Sequence, residues 1–201
     1  MLRWLSLILL CCSLTAAAQI PHEADRYRRD LVRNARLVWG IDAPIATFAG
    51  QVHQESGWRN DARSIYASGL AQFTPDTADW IGGVFPDLAE RQPFNPAWAL
   101  RALVRYDLYL YDRMPATAPC DRMAFALAGY NGGAGWVQRD RRKAAAAGAD
   151  PDRWWSQVER FNAGRAPAMF EENRGYPRRI LLRHEQVYVR AGWGLGIGCL
   201  P

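Results

Sequence analysis

The chain has 201 residues, of which 49% are hydrophobic, 12% aromatic and 22% charged. That is the length of one domain with enough apolar material for a buried core, which excludes a disordered chain. The net charge of +5, one less without Arg3, fits a polyanionic partner, although solubility alone could explain it; no nucleic-acid partner is expected.

Residues 1–18 differ from the rest. Arg3 gives a small positive start, Leu5 to Leu14 an apolar run, and Ala16-Ala17-Ala18 a small-residue cleavage site. This pattern reads as a secretory signal peptide removed near Ala18, with an uncleaved membrane anchor as the alternative. Its removal leaves two cysteines, Cys120 and Cys199. In an oxidising compartment they are expected to pair and staple the C-terminal tail to the middle of the fold; two free thiols are the alternative. His22, His53 and His184 lack metal-ligand spacing and there is no Cys-x-x-Cys pair, so neither metal nor cofactor is expected.

Residues 22–39 carry Leu31, Ala35, Val38 and Trp39 on one face and arginines on the other, an amphipathic helix that Gly40 ends. Asp42 is expected to cap the next helix, with Pro44 in its first turn. Ile41, Ile45, Phe48 and Val52 recur at three- and four-residue steps and define its buried face. Glu55 stands three residues past Val52, on that same face, before Ser56 and the terminating Gly57. A carboxyl there should have a raised pKa, as a general acid requires; a glutamate turned out to solvent is the alternative.

Residues 57–73 are punctuated by Gly57, Asn60, Asp61, Ser64, Ser68 and Gly69 and read as a loop. Thr74 then caps a short helix with Pro75 at its first position, ending near Ile81, and Gln72 precedes that cap. Residues 82–94 read as loop. Asn95-Pro96 starts a long helix whose face of Leu100, Leu103, Val104, Leu110 and Tyr111 packs inward; Met114-Pro115 and Pro119 end it. Residues 121–130 form an apolar helix that exits through Gly129-Tyr130-Asn131-Gly132-Gly133. Further helices are expected from Trp136 to about Ala147, over 150–158 with the pair Trp154-Trp155, and over 168–191. The cluster Arg139 to Lys143 reads as a solvated helix face. The fold class is mainly α, one helical domain with a loop-rich side.

Three sites place polar groups at helix ends, where a cleft can be lined: Glu55-Ser56, Gly69 to Gln72, and Tyr130-Asn131-Gly132. Singly, Gln72 could satisfy loop backbone, Tyr130 could be a core aromatic and Asn131 a cap. Together, Glu55-Ser-Gly, Gly69-Leu-Ala-Gln-Phe-Thr-Pro and Gly129-Tyr-Asn-Gly-Gly-Ala-Gly-Trp-Val resemble the ordered motifs of the soluble lytic transglycosylase (SLT) family, related in fold to goose-type lysozyme. Glu172-Asn-Arg-Gly-Tyr176, followed by Arg178-Arg179-Ile180, and the Asn95-Pro96 helix with Tyr106 extend the resemblance over roughly residues 27–190. The chain departs from the family at Ala71, where methionine is usual, at Gly129, where alanine is frequent, and at Pro177, where valine is common.

The resemblance implies a lysozyme-like α domain over residues 19–201 that cleaves peptidoglycan between N-acetylmuramic acid and N-acetylglucosamine. It implies Glu55 as the single acid/base, protonating the glycosidic oxygen and then taking the proton of the muramic acid C6 hydroxyl, which attacks C1 to give a 1,6-anhydro sugar. Ordinary glycosidases need two carboxylates, and attack from within the substrate removes the need for the second. By the same analogy Gln72 and Tyr130 flank the cleaved bond, Ser56 lies close to the acid, Asn131 holds sugar amides or the loop geometry, and Glu172 and Tyr176 line the cleft wall. Asp61 reads as a turn residue, and Trp58 could stack on a sugar or belong to the core. The expected partners are glycan strands of peptidoglycan, met by a monomer exported across the inner membrane to the periplasm. A hydrolytic muramidase on the same fold, and a wall-binding component of a secretion or conjugation apparatus, remain alternatives.

Overall fold

The computed structural model describes residues 19–199; the expected signal peptide lies outside them. Helix α1, Ala24–Trp39, buries Tyr27, Leu31 and Ala35 and stops at Gly40, whose φ is 85°. Helix α2, Ile45–Ser56, begins later than its sequence pattern implies. Asp42 does not cap it, Pro44 is its N-cap residue, and Ile41 is 75% exposed. Ile41 precedes the helix, so the helical step that places Ile45, Phe48 and Val52 in the core does not carry it there.

Helix α3, Pro75–Val84, starts as expected: the Thr74 hydroxyl accepts the Thr77 N–H at 3.2 Å, with Pro75 at the first position. It continues through Gly82, which the sequence places in a loop. Arg91 packs so closely that a Cβ on Gly82 would lie 2.6 Å from its Cγ, so this helical turn needs the missing side chain. A short 3₁₀ turn, Pro86–Leu88, leads to α4, Pro96–Arg113. Asn95 caps α4 by accepting the N–H groups of Ala97 and Trp98 at 3.0 and 3.3 Å. Pro119 opens α5, Pro119–Gly132, rather than closing α4, and α6 follows at Ala134–Ala146.

Residues 150–158 do not form the expected helix. The Asp121 carboxylate accepts the Trp154 and Trp155 N–H groups at 2.7 and 3.1 Å, and Glu159 accepts that of Ser156 at 2.7 Å. Carboxylates thus take the donors a helix would have paired, leaving turns and a 3₁₀ segment at Val158–Arg160. The last long element is one helix in three pieces: α7, Pro167–Arg179; a π turn, Ile180–His184; and α8, Glu185–Arg190. Pro177 removes one N–H from the ladder just before the wide turn. The loop between α2 and α3 carries the isolated bridges Arg63 to Ser68 and Ser68 to Phe73. No helix among the described residues is long and apolar enough to cross a membrane.

Two apolar clusters make the core. One gathers Leu31, Phe48, Val52, Trp58, Leu100 and Leu103; the other gathers Phe125, Leu127, Val137, Trp154, Tyr176 and Ile180. Trp39, Tyr106 and Tyr130 pack against both and form the seam. Helix α2 lies tight against the end of the π turn and the start of α8, where a Cβ on Gly50 would sit 3.0 Å from the Glu185 nitrogen. Buried Glu185 accepts the Thr47 hydroxyl at 2.6 Å and the N–H groups of Ile197 and Gly198 at 3.1 and 2.9 Å, which lays the tail over this junction. The tail ends in a Cys120–Cys199 disulfide, 79 residues apart in sequence. Closing a loop of that length should add about 2–4 kcal/mol. Cys120→Ser/Cys199→Ser should therefore unfold at lower denaturant than the oxidised protein in an equilibrium urea titration; coincident curves would refute the contribution.

Candidate active site

Glu55 occupies the last turn of α2, where Gly57 at φ 58° and then Trp58 at φ 65° turn the chain out of the helix. The preceding turns are anchored by Phe48 and Val52, both fully buried. The helix axis is thus held by the first core cluster while its final carboxyl reaches the seam. From the second cluster, the Tyr176 hydroxyl donates a hydrogen bond to Glu55 Oε1. Burial raises the Glu55 pKa from an ordinary 4.5 to about 8; the Tyr176 bond and Arg179 oppose the rise, while the Glu172 charge adds to it. Burial and then the charge of Glu55 push the Tyr176 hydroxyl well above its usual range.

A cleft of about 540 Å³ opens onto Glu55, with Gln72, Tyr106, Tyr130, Asn131 and Glu172 on its walls. Gln72 holds a left-handed backbone at φ 48°, and its amide donates to the carbonyls of Ala62 at 3.1 Å and Gly69 at 2.8 Å. Gly69 is required here: a Cβ on it would collide with the Pro93 carbonyl. The Tyr130 hydroxyl donates to the Ala71 carbonyl at 2.7 Å, tying the end of α5 to the same loop. Asn131 accepts the Asn173 amide at 3.1 Å, and Asn173 also donates to the Ala128 carbonyl at 2.8 Å. Gly132 makes room for this crossing, since a Cβ there would lie 2.6 Å from the Asn173 amide nitrogen. Glu172 pairs with Arg179 at the rim.

The structure brings together Glu55, Gln72, Tyr130, Asn131 and Glu172 around the cleft and keeps Ser56 and Tyr176 off its walls. Ser56 is buried and its hydroxyl turns back to the Val52 carbonyl at 3.3 Å. Tyr176 is not on the wall; it is buried behind Glu55, stacked on Tyr130 with ring centroids 6.4 Å apart. Trp58 belongs to the core, its indole N–H donating to the Tyr188 hydroxyl at 2.6 Å. Ala71 is fully buried, and Asp61 lines a different groove, beside Tyr27 and Asn95.

One group escaped the sequence reading. Asp107 is fully buried on α4, where Gln51 donates to it at 3.3 Å. Burial drives its carboxyl well above the usual carboxylate range, the Gln51 bond opposes this, and the charge of Glu55 adds to it. The signal was available: Asp107 falls in the stripe Leu100, Leu103, Val104, Leu110, and Gln51 lies one helical turn before Glu55.

The family described as Transglycosylase SLT domain matches residues 32–167. The chain belongs to the SLT family. Among its relatives, membrane-bound lytic murein transglycosylase F of Marinobacter nauticus is 34% identical over 145 residues, covering 70% of this chain and 26% of the relative. Its counterpart in Maricaulis maris is 36% identical over 134 residues, covering 65% and 28%. This SLT chain thus spans about a quarter of the length of the curated relatives it matches. The 70 kDa soluble lytic transglycosylase of Escherichia coli superposes with a TM-score of 0.56 over 88% of this chain and 26% of its own, at 23% identity, and carries the same lysozyme-like helical fold.

A raised carboxyl pKa has a stability consequence with a definite sign. The native SLT domain binds the Glu55 proton more tightly than the unfolded chain does. That contribution is complete below the ordinary pKa of 4.5 and is lost as pH rises through about 8. Its full size is about 5 kcal/mol at most. Glu55→Gln should therefore melt higher than wild type at pH 9 and show a much smaller gain at pH 4.5 in parallel thermal scans. A gain independent of pH would contradict the buried-acid geometry.

Proposed function

We propose that this chain is a peptidoglycan lytic transglycosylase: it cleaves the β-1,4 bond between N-acetylmuramic acid and N-acetylglucosamine and leaves a 1,6-anhydromuramic end. The observation that carries the reading is a Glu55 carboxyl bonded by the Tyr176 hydroxyl and facing a cleft walled by Gln72, Tyr130 and Asn131. A pKa near 8 keeps Glu55 in its acid form at neutral pH, ready to protonate the glycosidic oxygen. When the proton leaves, the Tyr176 hydroxyl is already directed at the new carboxylate. That carboxylate then takes the proton from the C6 hydroxyl as the oxygen closes on C1. One proton goes out, one returns, and no water is consumed. Gln72 and Tyr130, both fastened to the loop carbonyls, are placed to support the developing positive centre, and Asn131, oriented by Asn173, to hold an acetamido group.

One observation favours a second reading. Glu172 is an accessible carboxylate on the same cleft, and a hydrolytic muramidase would need such a group to activate water. The two readings separate cleanly. Transglycosylation predicts anhydro ends by mass spectrometry of digested wall and retention of that product by Glu172→Gln. Hydrolysis predicts reducing ends and loss of activity in that variant.

We place the activity in the periplasm, on the strength of the leader-like residues 1–18 and the envelope enzymes among the relatives, with glycan strands as the partner of a monomer. Service to a secretion or conjugation apparatus is the finer alternative, favoured if the chain binds wall without digesting it. Glu55→Gln should reduce wall digestion by about 10²-fold or more, measured as released muropeptides. Tyr176→Phe removes the donor that favours ionised Glu55, so the alkaline limb of kcat/KM should move upward by about one pH unit. A downward shift would contradict the assigned hydrogen bond.

A further inference from the structure

Next to Glu55, away from solvent, lies a polar pair that the proposed reaction does not use. Gln51 and Asp107 are both fully buried, and the Gln51 amide donates to Asp107 Oδ1 at 3.3 Å. Gln51 stands one helical turn before Glu55 on α2, so the two side chains are neighbours on one helix face. Asp107 follows Tyr106, a wall of the cleft, on α4. The pair thus joins the helix that carries the acid to the helix that carries the wall.

Two atoms of the pair are left over. Gln51 Oε1 and Asp107 Oδ2 are buried and have no partner among the described residues. Both are acceptors if Asp107 is ionised, so neither can satisfy the other. A carboxylate here would also stand without a cation. The titratable groups facing Asp107 are Glu55 from α2, Tyr106 on its own helix, Tyr130 from α5 and Tyr176 from α7, each neutral or negative. Arg105 is turned instead to Asp87 of the 3₁₀ turn, at 3.1 Å. From α1, the Trp39 indole N–H is already given to the Val104 carbonyl at 2.8 Å. An unpaired charge in such a place is far costlier than a neutral group. One proton on Oδ2 removes all three faults: Asp107 loses its charge, Oδ2 becomes a donor, and Gln51 Oε1 becomes its acceptor. Burial acts in the same direction, and the Glu55 charge adds to it.

We propose that Asp107 is held as a neutral acid, closed into a two-bond pair with Gln51, and that this pair is a positioning element for Glu55: it fixes the turn that carries the acid and leaves the negative charge formed in the cycle to Glu55 alone. The effect on rate rests on the peptidoglycan reading; the protonation of Asp107 does not. An ionised Asp107 would oppose the loss of the Glu55 proton to the glycosidic oxygen, and a neutral one does not. Asp107 touches no substrate and acts through Gln51 and Glu55.

Three measurements on the full-length protein test this. In infrared difference spectra at pH 7, wild type minus Asp107→Asn should show a protonated-carboxyl band that moves in D₂O; carboxylate bands in its place overturn the proposal. The Glu55 titration midpoint, read by carbon NMR, should be unchanged in Asp107→Asn, because an amide replaces a neutral acid. A fall of about one pH unit would mean that a negative charge had been removed, and overturns it as well. Asp107→Leu leaves Gln51 unmatched and should lower kcat on soluble wall fragments about tenfold with little change in KM. Asp107→Asn, which can still bond Gln51 in both directions, should recover most of that loss. Gln51→Leu empties the other half of the pair, should show the same loss of kcat, and stands in where Asp107→Leu does not fold. An unchanged kcat in a folded leucine variant, or a loss that asparagine does not recover, overturns the positioning role. Absence of wall digestion by wild type would instead sink the peptidoglycan reading, and the infrared and NMR results would still judge the protonation of Asp107.

Discussion

The contact between the Glu55 carboxyl and the Tyr176 hydroxyl crosses the seam between the two halves of the core. Glu55 ends a helix fixed by Phe48 and Val52 in one cluster, and Tyr176 belongs to the other. A carboxyl drawn from one apolar body and capped by a hydroxyl from the next is partly buried, because the cleft opens along the same line. Desolvation raises its proton affinity, and the single donated hydrogen bond limits that rise. Much of the architecture can be read as holding these two groups in register.

The register depends on how α7 and α8 meet α2. Pro177 and the π turn that follows it widen the helix where it passes α2, and Gly50 lets the backbones approach. Glu185, with Thr47 and the two tail N–H groups, clamps that junction, and the disulfide closes the tail over it. Rigid packing matters because an acid that must give up and retrieve a proton gains from fixed distances to its partners. On the other side of the cleft, short side-chain to carbonyl bonds from Gln72 and Tyr130 hold a loop that has little regular structure of its own.

Local signals in the sequence were the reliable ones. Thr74-Pro75 and Asn95-Pro96 announced helix starts, because a cap followed by proline is a chemical instruction that neighbours seldom override. The apolar face of α2 and the position of Glu55 on it were legible for the same reason. Tertiary competition accounts for the failures. Asp121 captured the N–H groups of Trp154 and Trp155 from a remote helix, which no spacing rule within that segment reveals, and Glu159 took that of Ser156 three residues away. A motif says which residues gather near the acid, as Ser56 and Tyr176 do, but not which way each side chain points. Trp58, adjacent to the motif, belongs to the core, one of the two readings the sequence allowed, and is the second of two successive left-handed residues there. Asp107 was legible and unread: a charge within an apolar stripe.

The most direct test of this account is the titration of Glu55 itself. In the free protein carrying ¹³C-labelled glutamate, the Glu55 δ-carboxyl resonance, assigned by its absence in Glu55→Gln, should titrate with a midpoint near 8. A midpoint near the ordinary 4.5 would mean the carboxyl is hydrated and ionised at neutral pH, and the reading of Glu55 as a buried acid would be wrong.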